Sequence, residues 1–146
     1  MYEITKEFKF EMAHTLTNYE GSCGNLHGHS YRCLLTFSAP NNSLGLDGDE
    51  GMVLDFNNVK RVCSDLFESL DHCYAYNEYG SNFELGIARM CNEYGKKIFC
   101  FPFRTTAENM SRYIFEEVNN RINKYSCRCS KVVLYETVTG CATYFE

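Results

Sequence analysis

Residues 2–14, YEITKEFKFEMAH, alternate in polarity, and this constrains the fold more than any other feature of the chain. Tyr2, Ile4, Phe8, Phe10 and Met12 share one parity, interrupted only by Lys6, while Glu3, Thr5, Glu7, Lys9 and Glu11 take the other. Successive side chains of a strand point to opposite faces, so this is a half-buried antiparallel strand whose even face turns inward. His14 continues the inward parity. A second strand over 27–38 aligns His27, His29, Tyr31, Cys33, Leu35 and Phe37 on one face by the same rule. Three of the chain's four histidines thus fall on inward strand faces.

The remaining segments complete the outline. After the loop PNNSLGLDGDEG comes MVLDF, read as a short strand. Residues 57–70 carry Val59, Val62, Cys63, Leu66 and Leu70 at helical spacing. In 73–97, FELGIARMCNEY predicts a short helix closed by Gly95, and KIFCFPF a strand. Thr105 followed by Glu108 has the spacing of a capping box, and Met110, Ile114, Val118 and Ile122 form the stripe of a helix over about 106–124. KVVLYETV, Gly140 and CATYFE read as a β-hairpin. Strands and helices in separate runs indicate α+β, with an antiparallel four-stranded sheet and two main helices packed on one face. There is no internal repeat and no linker, so one domain covers 1–146.

Composition narrows the function. The chain of 146 residues is 45% hydrophobic with 11 Tyr and 11 Phe, enough for a real core. Its net charge of −5 is a poor basis for gripping nucleic acid. No stretch reaches the roughly 18 apolar residues of a spanning helix. The opening MYEITKEFKFEMAH is charged throughout and matches no leader peptide, so a cytoplasmic location is expected. Nine cysteines, an odd number, are expected to be mostly reduced core thiols. Cys127 and Cys129 have no second pair at metal-site spacing and signal little.

Imidazoles at i and i+2 of a strand stand about 7 Å apart along the backbone, at roughly 3.3 Å per residue. They converge on one ion if a neighbouring strand supplies a third ligand. If the two strands pair as a hairpin, His14, His27 and His29 meet at its closed end. Three imidazoles with an open fourth position make a catalytic zinc arrangement. A structural zinc closed by Cys23 fits the C-x3-H-x-H spacing as well. Asp71 beside His72 can orient an imidazole for proton transfer. Glu136 shares its parity with Val132 and Leu134, and a carboxylate on an apolar face needs a partner: a buried cation, or a ligand with N–H groups.

Taken together, FKFEMAH, CGNLHGHSY, GMVLDF, LDH, TTAEN and YET follow, in order, the motifs of the 6-pyruvoyltetrahydropterin synthase / 6-carboxytetrahydropterin synthase family. The chain resembles that family over nearly its whole length. The resemblance implies the tunnelling fold (T-fold), Zn2+ on His14, His27 and His29, and Cys23, Asp71 and His72 as catalytic residues. It implies Glu136, with Thr105 and Thr106, at the pterin, and a homo-oligomer, trimer or hexamer, with sites at subunit interfaces. The C-x3-HGH interval resembles the carboxy branch of the family, the pyruvoyl branch typically having C-x5-HGH. The implied reaction turns 7,8-dihydroneopterin triphosphate into 6-carboxy-5,6,7,8-tetrahydropterin, acetaldehyde and triphosphate, on the route to 7-deazaguanines such as queuosine. The sister pyruvoyl activity and a zinc-stabilised binding module are the alternatives. Two departures stand out: Thr105 replaces a common proline, and an insertion at about 74–103 separates LDH from TTAEN.

Overall fold

A computed structural model of the chain describes residues 1–40, 44 and 51–146. The two alternating segments form β1 (Tyr2–His14) and β2 (His27–Ala39). They pair antiparallel, from Tyr2 opposite Ala39 to His14 opposite His27. This register buries Phe10, Met12, Tyr31, Cys33, Leu35 and Phe37 and leaves Glu3, Thr5, Lys9 and Glu11 exposed. The expected C-terminal hairpin is present: β5 (Arg128–Tyr135) lies against β2, and β6 (Cys141–Phe145) against β5, both antiparallel.

The sheet continues beyond these four strands. β3 (Cys73–Asn77) adds in parallel to the other edge of β1, and β4 (Ile98–Phe101) adds in parallel to β3. The order is β4-β3-β1-β2-β5-β6, a mixed six-stranded sheet, which corrects the expected four-stranded antiparallel one. The added strands lie near the two ends of the segment 74–103, which the sequence reading takes as an insertion. Parallel neighbours need a crossover, here containing the helix α2 (Asn82–Glu93), and alternation within a strand carries no information about such partners.

α1 (Phe56–Leu70) presents Val59, Cys63, Leu66, Phe67 and Leu70 to the sheet. α3 (Ala107–Ile122) presents Met110, Ile114, Phe115, Val118 and Ile122. Both stripes join the inward strand residues in one core, so these two helices lie on one face as expected. α2 packs on the opposite face of β3. Cys73 and Ala75 belong to the main core, whereas Tyr74 between them reaches α2, its hydroxyl donating to the carbonyl of Glu84 at 3.5 Å. Glu84 is itself buried, its carboxylate accepting from the Asn77 N–H at 2.8 Å and from the Thr17 hydroxyl. Gly95, at φ +66, follows α2 as the sequence predicts.

Two local expectations are revised. MVLDF forms no strand: Val53 and Leu54 are buried, and Asp55 caps α1 by accepting from the Asn57 N–H at 2.7 Å. The predicted capping box is displaced by one residue. Thr106 is the cap of α3, accepting from the Asn109 N–H at 3.3 Å, because Thr105 is used elsewhere. The loop predicted over 40–51 lies outside the described residues except for 40, 44 and 51. Among the described residues no helix is long and apolar enough to cross a membrane.

Leu35 is fully buried between β1 and β5. Leu35→Ala is therefore expected to cost about 2–5 kcal/mol of stability, read as a lowered midpoint in urea unfolding with an unchanged slope.

Candidate functional site

The closed end of the β1–β2 hairpin gathers the three histidines. His14 stands directly opposite His27, and His29 faces Met12 two positions along, so all three rings share the inward face. Ring centroids lie 4.7–5.3 Å apart. One ligand nitrogen from each ring lies within 4.8 Å of those of the other two.

Hydrogen bonds fix two of the tautomers. Nδ1 of His14 lies 2.9 Å from the Thr105 carbonyl, and Nδ1 of His27 lies 2.7 Å from the Asn25 carbonyl. A carbonyl only accepts, so both Nδ1 atoms carry a proton, which leaves Nε2 as the nitrogen that offers a lone pair when the ring binds a metal. The Nε2 atoms of all three rings are buried without a hydrogen-bond partner. Burial, reinforced by the two neighbouring imidazoles, pushes His14 down to about 4, so it is neutral near neutral pH. Burial also lowers His29, against the opposing charge of Glu136. Neutral imidazoles with orphaned, converging lone pairs are what a metal ion satisfies, and the donor set fits one. Thr105, fully buried, holds His14 through both its carbonyl and its hydroxyl (3.1 Å), the outer support that metal-binding histidines generally have.

Glu136 closes the cluster on one side. Its carboxylate oxygens lie 3.7 Å from Nε2 of His29 and 4.0 Å from Nε2 of His14. Tyr31, next on the histidine face of β2, donates its hydroxyl to Glu136 at 3.4 Å; burial and that carboxylate hold the phenol well above its ordinary value. Sequence reasoning did not single out Tyr31, although the H-x-H-x-Y parity marks it. Glu136 also lines a cavity of about 330 Å³ together with Cys23, Tyr19, Thr106, Glu108 and Cys141. Cys23 sits in a short turn, Ser22–Gly24, tied to the chain just after β1 by the Leu16 N–H donating to its carbonyl at 2.9 Å. A Cβ on Gly24 would fall 2.4 Å from the Tyr19 carbonyl oxygen, so the turn requires glycine there. The Cys23 sulfur is not among the clustered ligand atoms, and among the described residues the histidines are the one such group.

Asp71 and His72 lie elsewhere. His72 borders a different cavity, of about 540 Å³, with Lys96, Lys97 and the alternate-face residues Glu11, Ala13, Gly28 and Ser30; of the three clustered histidines only His29 reaches it. Nδ1 of His72 is 2.9 Å from the Asp71 carboxylate. A hydrogen bond from the Glu11 N–H (2.8 Å), then His72 and the Lys97 charge, hold the Asp71 carboxyl below its ordinary value. The chain therefore sets Glu136 between the three histidines and the cavity of Cys23 and Thr106, and keeps His72, paired with Asp71, on a separate cavity. Cys127 and Cys129 take no part, and the nine cysteines form no disulfide.

Comparison with known proteins accords with this arrangement. The family model described as 6-pyruvoyl tetrahydropterin synthase matches residues 3–146. The chain is 34% identical to the 6-carboxy-5,6,7,8-tetrahydropterin synthase of Haemophilus influenzae, over 100% of both chains. Among solved structures, an uncharacterized protein of Wolinella succinogenes superposes with a TM-score of 0.80 at 19% identity, covering 99% of this chain and 98% of that one. The Caenorhabditis elegans 6-pyruvoyl tetrahydropterin synthase superposes with a TM-score of 0.66 at 21% identity, covering 99% and 95%. The fold is thus the α+β T-fold of those structures.

The purified protein is expected to bind one transition-metal ion per chain by elemental analysis. His27→Ala should abolish stoichiometric binding, and Thr105→Val should weaken it by about 10- to 100-fold in a chelator competition. Cys23→Ala should leave it unchanged.

Proposed function

We propose, from the fact that the chain belongs to the 6-pyruvoyl tetrahydropterin synthase family, that it is a zinc-dependent 6-carboxy-5,6,7,8-tetrahydropterin synthase. Its substrates are 7,8-dihydroneopterin triphosphate and one water, and its products are 6-carboxytetrahydropterin, acetaldehyde and triphosphate, feeding 7-deazaguanine synthesis. The observation that carries this reading is Glu136, which stands 3.7–4.0 Å from two of the three orphaned imidazole nitrogens and lines the cavity of Cys23, in a chain alike end to end with a carboxy-branch enzyme. Three neutral nitrogen donors favour zinc among the common ions.

His14, His27 and His29 would hold the ion, with Thr105 and the Asn25 carbonyl fixing two of the rings. When bound, zinc supplies Lewis acidity toward the hydroxyls of the substrate side chain. Glu136 would accept hydrogen bonds from the pterin amino and ring N–H groups, and its distances of 4.0 and 3.7 Å to His14 and His29 would bring the substrate side chain toward the three imidazoles. Thr106 and Glu108, at the start of α3, wall the same cavity. Cys23, as thiolate, takes a proton from the side chain, and His72, oriented by Asp71, returns one. No redox cofactor is needed for proton transfer, elimination and carbon–carbon cleavage.

The separation of Cys23 from His72 within one chain supports a shared site. In the homo-oligomer that the family resemblance implies, a trimer or hexamer, the Asp71–His72 pair of one copy serves the Cys23 cavity of another. The outer edges of β4 and β6 close the sheet order and suit pairing between copies.

The zinc-loaded protein, given dihydroneopterin triphosphate without reductant, is expected to release acetaldehyde and 6-carboxytetrahydropterin in equal amounts by mass analysis. Accumulation of 6-pyruvoyltetrahydropterin instead would overturn the choice of branch. Cys23→Ala and His72→Ala should each be inactive. If the two are mixed and reassembled, turnover should return, since some interfaces then combine an intact Cys23 with an intact His72. Mixtures that stay inactive would argue for a site within one chain.

A further inference from the structure

The turn that carries His72 ends α1 in an unusual way. Asp71 is the C-cap, its N–H donating to the Phe67 carbonyl at 2.9 Å, and His72 follows at φ +58, in the left-handed region. That position after a helix is ordinarily glycine, because a side chain there is strained. In the simple form of this helix ending, the N–H of the left-handed residue bonds back to the carbonyl four residues earlier, here Glu68. His72 does not make that bond: its N–H donates to the Glu11 carbonyl of β1 at 2.6 Å instead. The diversion registers β3 beside β1, and it leaves the Glu68 carbonyl in need of a donor.

Lys97 supplies the donor. Its ammonium donates to the Glu68 carbonyl and, at 2.7 Å, to the Asp71 carbonyl. The last turn of α1 has no basic residue of its own, so Lys97 is also the positive charge at the negative end of a 15-residue helix. The backbone of the same residue accepts from the Tyr74 N–H at 3.0 Å, just before β4 pairs with β3. The chain from 71 to 74 is thereby clamped from both sides, by β1 through Glu11 and by the insertion through Lys97.

We infer that Lys97 is a positioning residue for the reaction, and that one task of the 74–103 insertion is to deliver its ammonium to the turn holding Asp71 and His72. This rests on the reading of His72 as a proton-transfer group. The lysine touches neither substrate nor metal in this role; it keeps His72 in a strained conformation that its own helix no longer supports.

Lys97→Met, Lys97→Arg and His72→Ala in the zinc-loaded oligomer test the inference. Hydrogen–deuterium exchange over 68–76, read by mass spectrometry, should speed up in Lys97→Met and return toward the parent rate in Lys97→Arg. Lys97→Met should lower kcat by about 10- to 100-fold with little change in KM, as a misplaced catalytic group does, and arginine should restore most of it. Zinc content and oligomer size should not change. If the methionine variant does not fold, the same readouts are compared between Lys97→Arg and Lys97→Gln. Unchanged exchange in Lys97→Met overturns the inference, and so does full turnover in Lys97→Met alongside an inactive His72→Ala. Full turnover in His72→Ala would instead overturn the catalytic reading of His72, while the exchange data still decide whether Lys97 holds the turn.

Discussion

The register between β1 and β2 is the constraint on which the rest depends. Because side chains alternate along a strand, a slip of one residue would turn every inward group outward, histidines and core residues together. Phe10 stacked on Tyr31 at 4.9 Å and the burial of Cys33, Leu35 and Phe37 make such a slip costly. The hydrophobic core therefore sets the geometry of the polar cluster. His14 meets His27, and His29 stands two positions further on, as a consequence of apolar packing elsewhere along the same strands.

At the closed end of the hairpin this burial has a price, since imidazole nitrogens leave water there. Two rings recover part of it through carbonyls at Nδ1, which leaves their Nε2 lone pairs facing one another. Glu136, which accepts from the Tyr31 hydroxyl, extends the polar cluster into the cavity that Cys23 lines. Thr105 belongs with the histidines for the same reason: a buried hydroxyl needs a partner, and His14 is there. The helix cap then passes to Thr106.

The segment from 73 to 103 extends the sheet without disturbing this arrangement. It adds two parallel strands beyond β1 and a helix on the opposite face, fastened by the buried carboxylate of Glu84. Its contact with the candidate chemistry is indirect, through the turn at Asp71 and His72. There a histidine occupies a left-handed position, and the donors that hold the turn come from β1 and from residue 97 rather than from α1. Strain of this kind persists only where the surroundings over-determine it.

Much of this was legible in the sequence. Period-two alternation located β1 and β2 and put His14, His27 and His29 on one face; helical spacing located α1 and α3; parity placed Glu136 beside the apolar face of β5. These features are local, each read from the spacing of neighbours along the chain. Other features were not legible. That β3 and β4 pair in parallel, that Thr105 serves a ring 91 residues away rather than its own helix, and that Lys97 caps a helix whose C-cap lies 26 residues before it all depend on long-range contacts. Composition and periodicity record which face of an element is apolar, and not which distant partner covers it. The sequence by itself determined the hairpin and its three histidines, because a pleated strand converts spacing directly into facing. Only the tertiary structure decided where the Asp71–His72 pair stands relative to Cys23, because chain closure across the sheet, and no local periodicity, sets that separation.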